Sequence, residues 1–406
     1  DVMQPAFQPT RTAALERLQS FVPKTSAYAS KRNYDLEGHP HVSGLSPYIR
    51  HRILTEEEVL EAVLGRYALS TAEKFVQEVY WRTYWKGWLE MRPSVWTSYQ
   101  AGVQAALNRV QTEAGLRTAW EEACRGETEI AAFNHWAHEL VQTGYLHNHA
   151  RMWFASIWIF TLRLPWELGA DFFLRHLIDG DPASNTLGWR WVAGLQTKGK
   201  TYLARASNIA QYTEGRFNPE GELSSFANAL EGAPHPDRTG APLPESWDRT
   251  APTGLLLTEE DMSPGFILGT SFKPVTTAAL LSTHARSPLE TSPIVENFIS
   301  AATEDSLSRY RQSSENSAGI LPNTAAVIAW ATEAEIVQIV TPYAPVGPAA
   351  QALQQLEVDL NAKGIKLIRA LRDFDAAAWP HATHGFFRFK EKIPKLVGQL
   401  KGLKAA

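Results

Sequence analysis

Two stretches decide the reading: Tyr145-Leu-His-Asn-His-Ala-Arg-Met152 and, one helical run later, Asp179-Gly-Asp-Pro-Ala-Ser-Asn-Thr-Leu-Gly-Trp-Arg-Trp191. Arg151 and Asp179 are opposite charges flanking two predicted helices. An enclosed pair of this kind is costly to desolvate unless further polar groups satisfy it. Taken singly, the residues have plainer readings: a structural salt bridge for Arg151 and Asp179, a turn residue for Asn185, core packing for the indoles. Order and spacing, rather than any one side chain, carry the weight.

Outward from this pair, the first half reads as helical. Thr10 caps an amphipathic run, and Asn33 to Leu45 is loop, rich in Gly, Pro, Asp and His. Thr55-Glu-Glu-Glu58 forms a capping box leading to about Leu64. Further helices are expected over Thr71–Glu90, Ala101–Arg125, Glu129–Gln142, His149–Leu164 and Trp166–Leu177. Asp179 to Gly188 reads as a tight loop before a short helix carrying Trp189 and Trp191. Composition changes after Phe217, and Gly221 to Pro252 reads as linker. Beyond it, β-prone runs at Gly254–Leu257, Thr276–Leu281, Ala326–Trp330, Ile336–Val340 and Ile365–Ile368 alternate with helices near Pro293–Arg311, Ala349–Asn361 and Lys390–Leu403. That alternation predicts a mostly parallel sheet covered on both faces. The expected architecture is multidomain: an all-helical domain over 1–223, a linker over 224–252, and a smaller Rossmann-like α/β domain over 253–406.

The 406 residues, 44% apolar and 20% charged, have ordinary globular composition. The single Cys124 excludes an intrachain disulfide and a four-cysteine cluster, and no metal-ligand set is read from the sequence. The start lacks a secretory pattern, and Trp153–Leu164 is too short and too polar to span a membrane, so a soluble cytosolic or organellar protein is expected. A net charge of −4 leaves local basic surfaces open. Of 14 tryptophans, eleven fall between Trp81 and Trp191.

Together these stretches resemble the flavin domain of DNA photolyases and cryptochromes. The family's "Asp-Gly-Asp-x-Ala-Ser-Asn-Asn-Gly-Gly-Trp-x-Trp" run parallels 179–191, and Glu78-Val-Tyr-Trp-Arg82 is similar to its Glu-Leu-x-Trp-Arg helix. The likeness spans roughly residues 7–223. It implies FAD as cofactor, with Arg151, Asp179 and Asp181 beside the flavin and Asn185 facing its N5. An amide suits that place because it can donate or accept as the ring changes redox state. Tyr28, Ser43, Leu45 and Ser46 match the diphosphate loop, with Glu78, Arg82 and Asn148 also lining the cofactor pocket. Thr186 and Leu187 stand where the family has Asn and Gly. Trp189 and Trp166 match the first two members of an electron-relay chain; no tryptophan stands near Val110, where the family has its third, so either Trp96 or Trp120 replaces it or the relay exits elsewhere.

The resemblance also implies a repair pocket made by Glu78, Trp81, Asn148, Met152 and Trp191, with Trp81, Arg82 and Trp191 contacting damaged DNA. In that reading, excited reduced FAD donates an electron to a cyclobutane pyrimidine dimer, the ring splits and the electron returns. Two indoles stacking on a flipped lesion offset its unstacking by roughly 1–3 kcal/mol per base. A cryptochrome-like blue-light receptor and a non-repair flavoprotein are the alternatives. The family places its α/β antenna domain before the flavin domain, whereas here the α/β material follows. That makes it a candidate permuted antenna-like domain or an interaction domain for another protein.

Overall fold

The computed structural model describes residues 7–269 and 272–400. Its first half is helical. Helix α1 (Arg11–Phe21) starts where the Thr10 side chain accepts from the Ala13 N–H, and α2 (Thr25–Lys31) follows. After the loop come α3 (Ser46–Arg50) and α4 (Glu56–Leu64), the latter with the full Thr55/Glu58 capping box. Helix α5 (Leu69–Glu90) is the longest. The expected single helix to Arg125 is two, α6 (Ser94–Thr112) and α7 (Ala114–Arg125), because Glu113 turns to extended backbone between them. Helices α8 (Ala131–Thr143) and α9 (Asn148–Ser156) follow, and α9 runs on into a π-helical turn over Ile157–Thr161. Helices α10 (Trp166–His176), α11 (Pro182–Ala193) and α12 (Ala206–Tyr212) complete this part.

Residues 224–248 form no regular element and run along the helical part: the Lys198 ammonium and Thr201 hydroxyl donate to its carbonyls. Then come β1 (Thr253–Leu257), β2 (Thr276–Leu280), α13 (Pro293–Arg309), β3 (Asn316–Leu321), α14 (Thr324–Glu333), β4 (Gln338–Pro342), α15 (Pro348–Ala362) and β5 (Lys366–Ala370). All pairings are parallel, in the order β3-β2-β1-β4-β5. Strands β1, β2 and β4 are wholly buried, as an apolar run in a doubly covered parallel sheet should be. One face packs Val327, Trp330, Leu353 and Leu356 from α14 and α15, and the other packs Phe272 and Leu307.

Two strand assignments from the sequence change. Ala326–Trp330 lies inside α14, where Asn323 accepts from the Ala326 N–H at 2.8 Å and Val327, Trp330 and Ala331 bury one helical face. Strand β3 is an edge strand without an apolar pattern, so periodicity alone misses it. Short helices α16 (Asp373–Ala378), α17 (Phe386–Lys390) and α18 (Ile393–Gly398) close the chain. They replace the single helix expected over Lys390–Leu403, whose last residues fall outside the described range.

Candidate functional site

Helix α11 begins earlier than the sequence suggests. Asp181 caps it, its carboxylate accepting from the Ser184 N–H at 3.0 Å and hydroxyl at 2.6 Å, and Pro182 sits in the first turn. Asn185 therefore lies in a helix, not in a loop. Its amide donates to the Ala170 carbonyl at 2.8 Å, which fixes the side chain and turns its oxygen away from that bond.

Three helices each carry an accessible stripe along a largely buried stretch, with the first turns of α5 and Arg190 of α11 accessible besides. On α5 it is Glu78, Trp81, Arg82 and Trp85; on α9, Asn148, Arg151 and Met152; on α11, Ser184, Asn185, Gly188 and Trp191. These are the i, i+3, i+4, i+7 spacings of a single helical face. Helix α11 packs against both α5 and α9, so the stripes border a common recess. A Cβ built on Gly188 would meet no atom within 4 Å, as expected of a residue facing open space.

A polar network ties the walls together. Arg151 donates to both Asp179 oxygens at 3.0 and 2.8 Å, and Ser46 donates to the same carboxylate at 2.5 Å. Arg82 donates to the Ser46 carbonyl at 3.3 Å, and Arg32 pairs with Glu78 at 3.0 Å. The bidentate fork is the strong form of this pairing and offsets the desolvation of Asp179. Burial alone would raise the Asp179 carboxyl, but Arg151 overcomes it and holds it below the usual range. Burial likewise opposes ionisation of Asp181, yet Lys86, Arg50 and Arg82 bring it down to about 2. Glu78 goes the other way, because burial lifts its carboxyl despite Arg32. The Glu78 carboxyl thus shifts in the opposite direction to the two aspartates. Lys86 and Arg50, buried cations facing Asp181, were not singled out in the sequence; Lys86 lies eight residues along α5 from Glu78, and nothing local marks it.

The remaining expected residues fall into three groups. Ser43 accepts from the Leu45 N–H at 3.1 Å and Ser46 is turned to Asp179, so neither hydroxyl is idle, and Tyr28 is packed against Phe21 and Phe75. Trp189 is buried against Phe154, Trp158 and Phe173, and lies so close over Gly169 that a Cβ there would come within 2.3 Å of the indole. Trp166, one turn earlier on the same helix, touches Tyr99 at 5.7 Å, and Tyr99 touches Trp96 at 5.3 Å. Trp191 is 36% exposed and stacks on Tyr202 at 5.8 Å. Trp81 has one face covered by Phe386, with ring centres 3.7 Å apart and planes 13° off parallel. No sequence pattern announced that contact, made from the far end of the chain.

The fold and recess define a helical cofactor-binding unit joined to a parallel α/β unit. Residues 75–236 match the family described as the FAD binding domain of DNA photolyase. A deoxyribodipyrimidine photo-lyase of Synechococcus is 32% identical over 215 residues, 50% of this chain and 43% of that protein. One from Thermus thermophilus is 33% identical over 226 residues, 53% and 50% of the two chains. Among solved structures, a class III photolyase from Agrobacterium tumefaciens is similar at TM-score 0.44 and 26% identity, covering 51% of this chain and 43% of that one. The chain spans about half the length, or less, of the curated relatives it matches. FAD is the cofactor of this domain. The residues fit it: the recess is lined by an anchored Arg–Asp fork, a capping Asp held ionised and a fixed amide, without a bulky side chain at Gly188.

Proposed function

We propose that the protein carries out FAD-dependent, blue-light-driven repair of cyclobutane pyrimidine dimers in DNA, as a deoxyribodipyrimidine photolyase-like lyase. The observation that carries the reading is the convergence of the accessible faces of α5, α9 and α11 on one recess, around the Arg151–Asp179 fork, inside the matched segment. Bound there, FAD supplies light-driven one-electron donation. Arg151, Asp179 and Asp181 would fix the polar edge of the cofactor, and Asn185 would present its amide. Glu78, held towards its protonated form by burial, is suited to share a proton with a lesion base. Asn148 and Met152 line the same stripe, and Trp81 and Trp191 supply stacking surface at the rim.

A cationic shoulder supports DNA as the partner. Arg92 and Arg238 both donate to the Thr383 carbonyl, at 2.7 and 3.5 Å, and Arg388 donates to His384 at 3.1 Å. Three guanidiniums from distant parts of the chain, that of Arg92 buried over Trp88, thus meet at Thr383 and His384, three residues before Phe387, which is 80% exposed. The Tyr84 hydroxyl, on the helix of Trp81, donates to the His384 carbonyl and sets this shoulder beside the recess. Convergent arginines next to an exposed aromatic suit a phosphodiester backbone.

A second reading, a cryptochrome-like receptor, is favoured by Phe386, which already covers one face of Trp81 and so halves the surface left for a base. Illuminating the reduced flavoprotein with dimer-containing single- and double-stranded DNA separates the two. Repair predicts light-dependent return of intact thymine; flavin photoreduction with no thymine recovered points to the receptor. Phe386→Ala should tighten binding to dimer-containing DNA if Trp81 stacks on the lesion, by up to the roughly 1–3 kcal/mol of one base–aromatic stack.

A further inference from the structure

Away from the recess, the loop between α2 and α3 meets one face of α8. Asp35 is fully buried, and only one of its oxygens is engaged in the usual way: Oδ2 accepts from the Trp136 indole N–H at 3.1 Å and lies 3.6 Å from the Arg216 guanidinium. Its Oδ1 has no hydrogen-bond partner. Nor do His39 Nδ1, Glu139 Oε1 and His135 Nε2, all buried atoms. They belong to one cluster of side chains, in which His39 Nδ1 and Asp35 Oδ1 are the two orphans that face each other. His39 Nδ1 is 3.6 Å from Asp35 Oδ1, His39 Nε2 is 3.7 Å from Glu139 Oε1, and His135 Nε2 is 3.8 Å from Glu139 Oε2.

Buried polar atoms are nearly always hydrogen-bonded, so four orphans within one cluster of side chains require a physical account. The separations are too long for hydrogen bonds. A shared cation with bonds of about 2.0–2.2 Å to N and O holds tetrahedral ligand atoms roughly 3.3–3.5 Å apart and takes one ring nitrogen from His39. One ligand atom from each of Asp35, His39 and Glu139 already falls within 4.8 Å of the others. The scaffold is built for it. Left-handed backbone at Gly38 and His39 folds the imidazole back over Asp35, and His135 and Glu139 sit i, i+4 on one face of α8. Trp136 holds Asp35 from behind, as outer-shell donors hold metal-bound carboxylates.

We propose that Asp35, His39 and Glu139, with His135 as a fourth ligand, form a binding site for one divalent transition-metal ion. Imidazole and carboxylate together select ions such as Zn²⁺, Mn²⁺ or Co²⁺ over Ca²⁺ or Mg²⁺. The nearby Arg216 charge lowers the affinity without blocking Oδ1, since it faces Oδ2. The ion would pin the loop 33–45 onto α8. His39 stacks 6.4 Å from His147 and packs edge-on to Tyr145, so the clamp reaches the start of the α9 stripe. It is independent of the flavin reading and is tested without light or DNA.

The test uses the full-length protein, stripped with chelator and titrated with Co²⁺ and Zn²⁺, followed by calorimetry and by the visible d–d absorption of bound Co²⁺. One equivalent per chain is expected, with d–d bands bleached by Zn²⁺. Asp35→Asn and Glu139→Gln should each weaken binding by more than about 10-fold, the smallest loss seen for outer-shell partners. His138→Ala, on the same helix but bonded to the Arg125 carbonyl, should leave it unchanged. Circular dichroism checks that each variant is folded, and either near-isosteric variant suffices if the other is not. Less than one equivalent in the wild type, or undiminished Co²⁺ bands in the folded variants, overturns the site.

Discussion

Asp179 shows how much one carboxylate is asked to do. It accepts both arms of Arg151 and the Ser46 hydroxyl while almost wholly buried. Asp179→Asn keeps the shape but leaves the half-buried Arg151 guanidinium without its counter-charge, a loss below the roughly 3–5 kcal/mol of a fully buried broken pair. Thermal denaturation should show that loss, together with reduced FAD retention on gel filtration; an unchanged melting temperature would remove the fork from the stabilising groups. Asp181 sets a pH dependence. Its folded pKa, about 2, lies below the ordinary 3.8, so its contribution is present above pH 3.8 and fades as pH falls through 2. The shift corresponds to about 2 kcal/mol. Asp181→Asn should therefore flatten the acid limb of a stability–pH curve, read by denaturant melts between pH 2 and 5. These residues were legible in the sequence because they stand inside ordered motifs. Lys86 and Arg50, which hold Asp181 ionised, were not, because a buried cation and a solvated one look alike along a helix.

Helix α5 was legible as a unit, since its apolar residues recur at helical spacing, but its neighbours were not. One stripe faces the recess, while Gly87 lies against Trp379 and Ala382 near the chain's end and Trp81 lies under Phe386. Its last residue, Glu90, accepts from the Tyr343 hydroxyl and from the Val346 N–H at 3.1 Å, which joins it to the end of β4. Burial raises the Glu90 carboxyl to about 7 in spite of those bonds. A carboxyl raised in the folded state favours folding below its unfolded pKa, and that contribution is lost as pH climbs through 7. Glu90→Gln removes the titration. The variant should gain stability relative to the wild type at pH 8 compared with pH 5, and equal differences at the two pH values would count against a neutral Glu90. The misplaced strand at Ala326–Trp330 has the same lesson at its root. A five-residue apolar run does not declare its period, and only the Asn323 cap upstream reveals the helix.

At the scale of the whole molecule, the C-terminal ends of the strands point into the helical part. The crevice outside those ends is where doubly wound sheets usually bind ligands. Here the segment after β1, Thr258–Ser263, is buried against Arg50-His51-Arg52. Arg50 and Glu260 pair at 2.8 and 3.0 Å, with side chains 2% and 3% exposed. His51 lies between the Glu259 and Ile178 carbonyls, its ring nitrogens 2.8 and 2.9 Å from them, and Arg52 forks onto Asp375 at 2.9 and 2.8 Å. None of this was readable from the sequence, where Thr258-Glu-Glu-Asp-Met262 looks like an exposed acidic turn and the Arg50 partner of Glu260 lies 210 residues away. Two units locked by buried ion pairs should unfold together. Breaking one pair by Arg50→Leu strands Glu260 and should cost about 3–5 kcal/mol, whereas Arg50→Leu with Glu260→Leu should recover most of it, because a well-packed apolar pair often equals a buried salt bridge. Denaturant melts followed by tryptophan fluorescence and by far-ultraviolet dichroism would coincide in the wild type and in the double variant. Separate transitions in the wild type would show that the interface is not what couples the halves, and a double variant as weak as the single one would mean that the network around Asp181, which also feels Arg50, carries the energy instead.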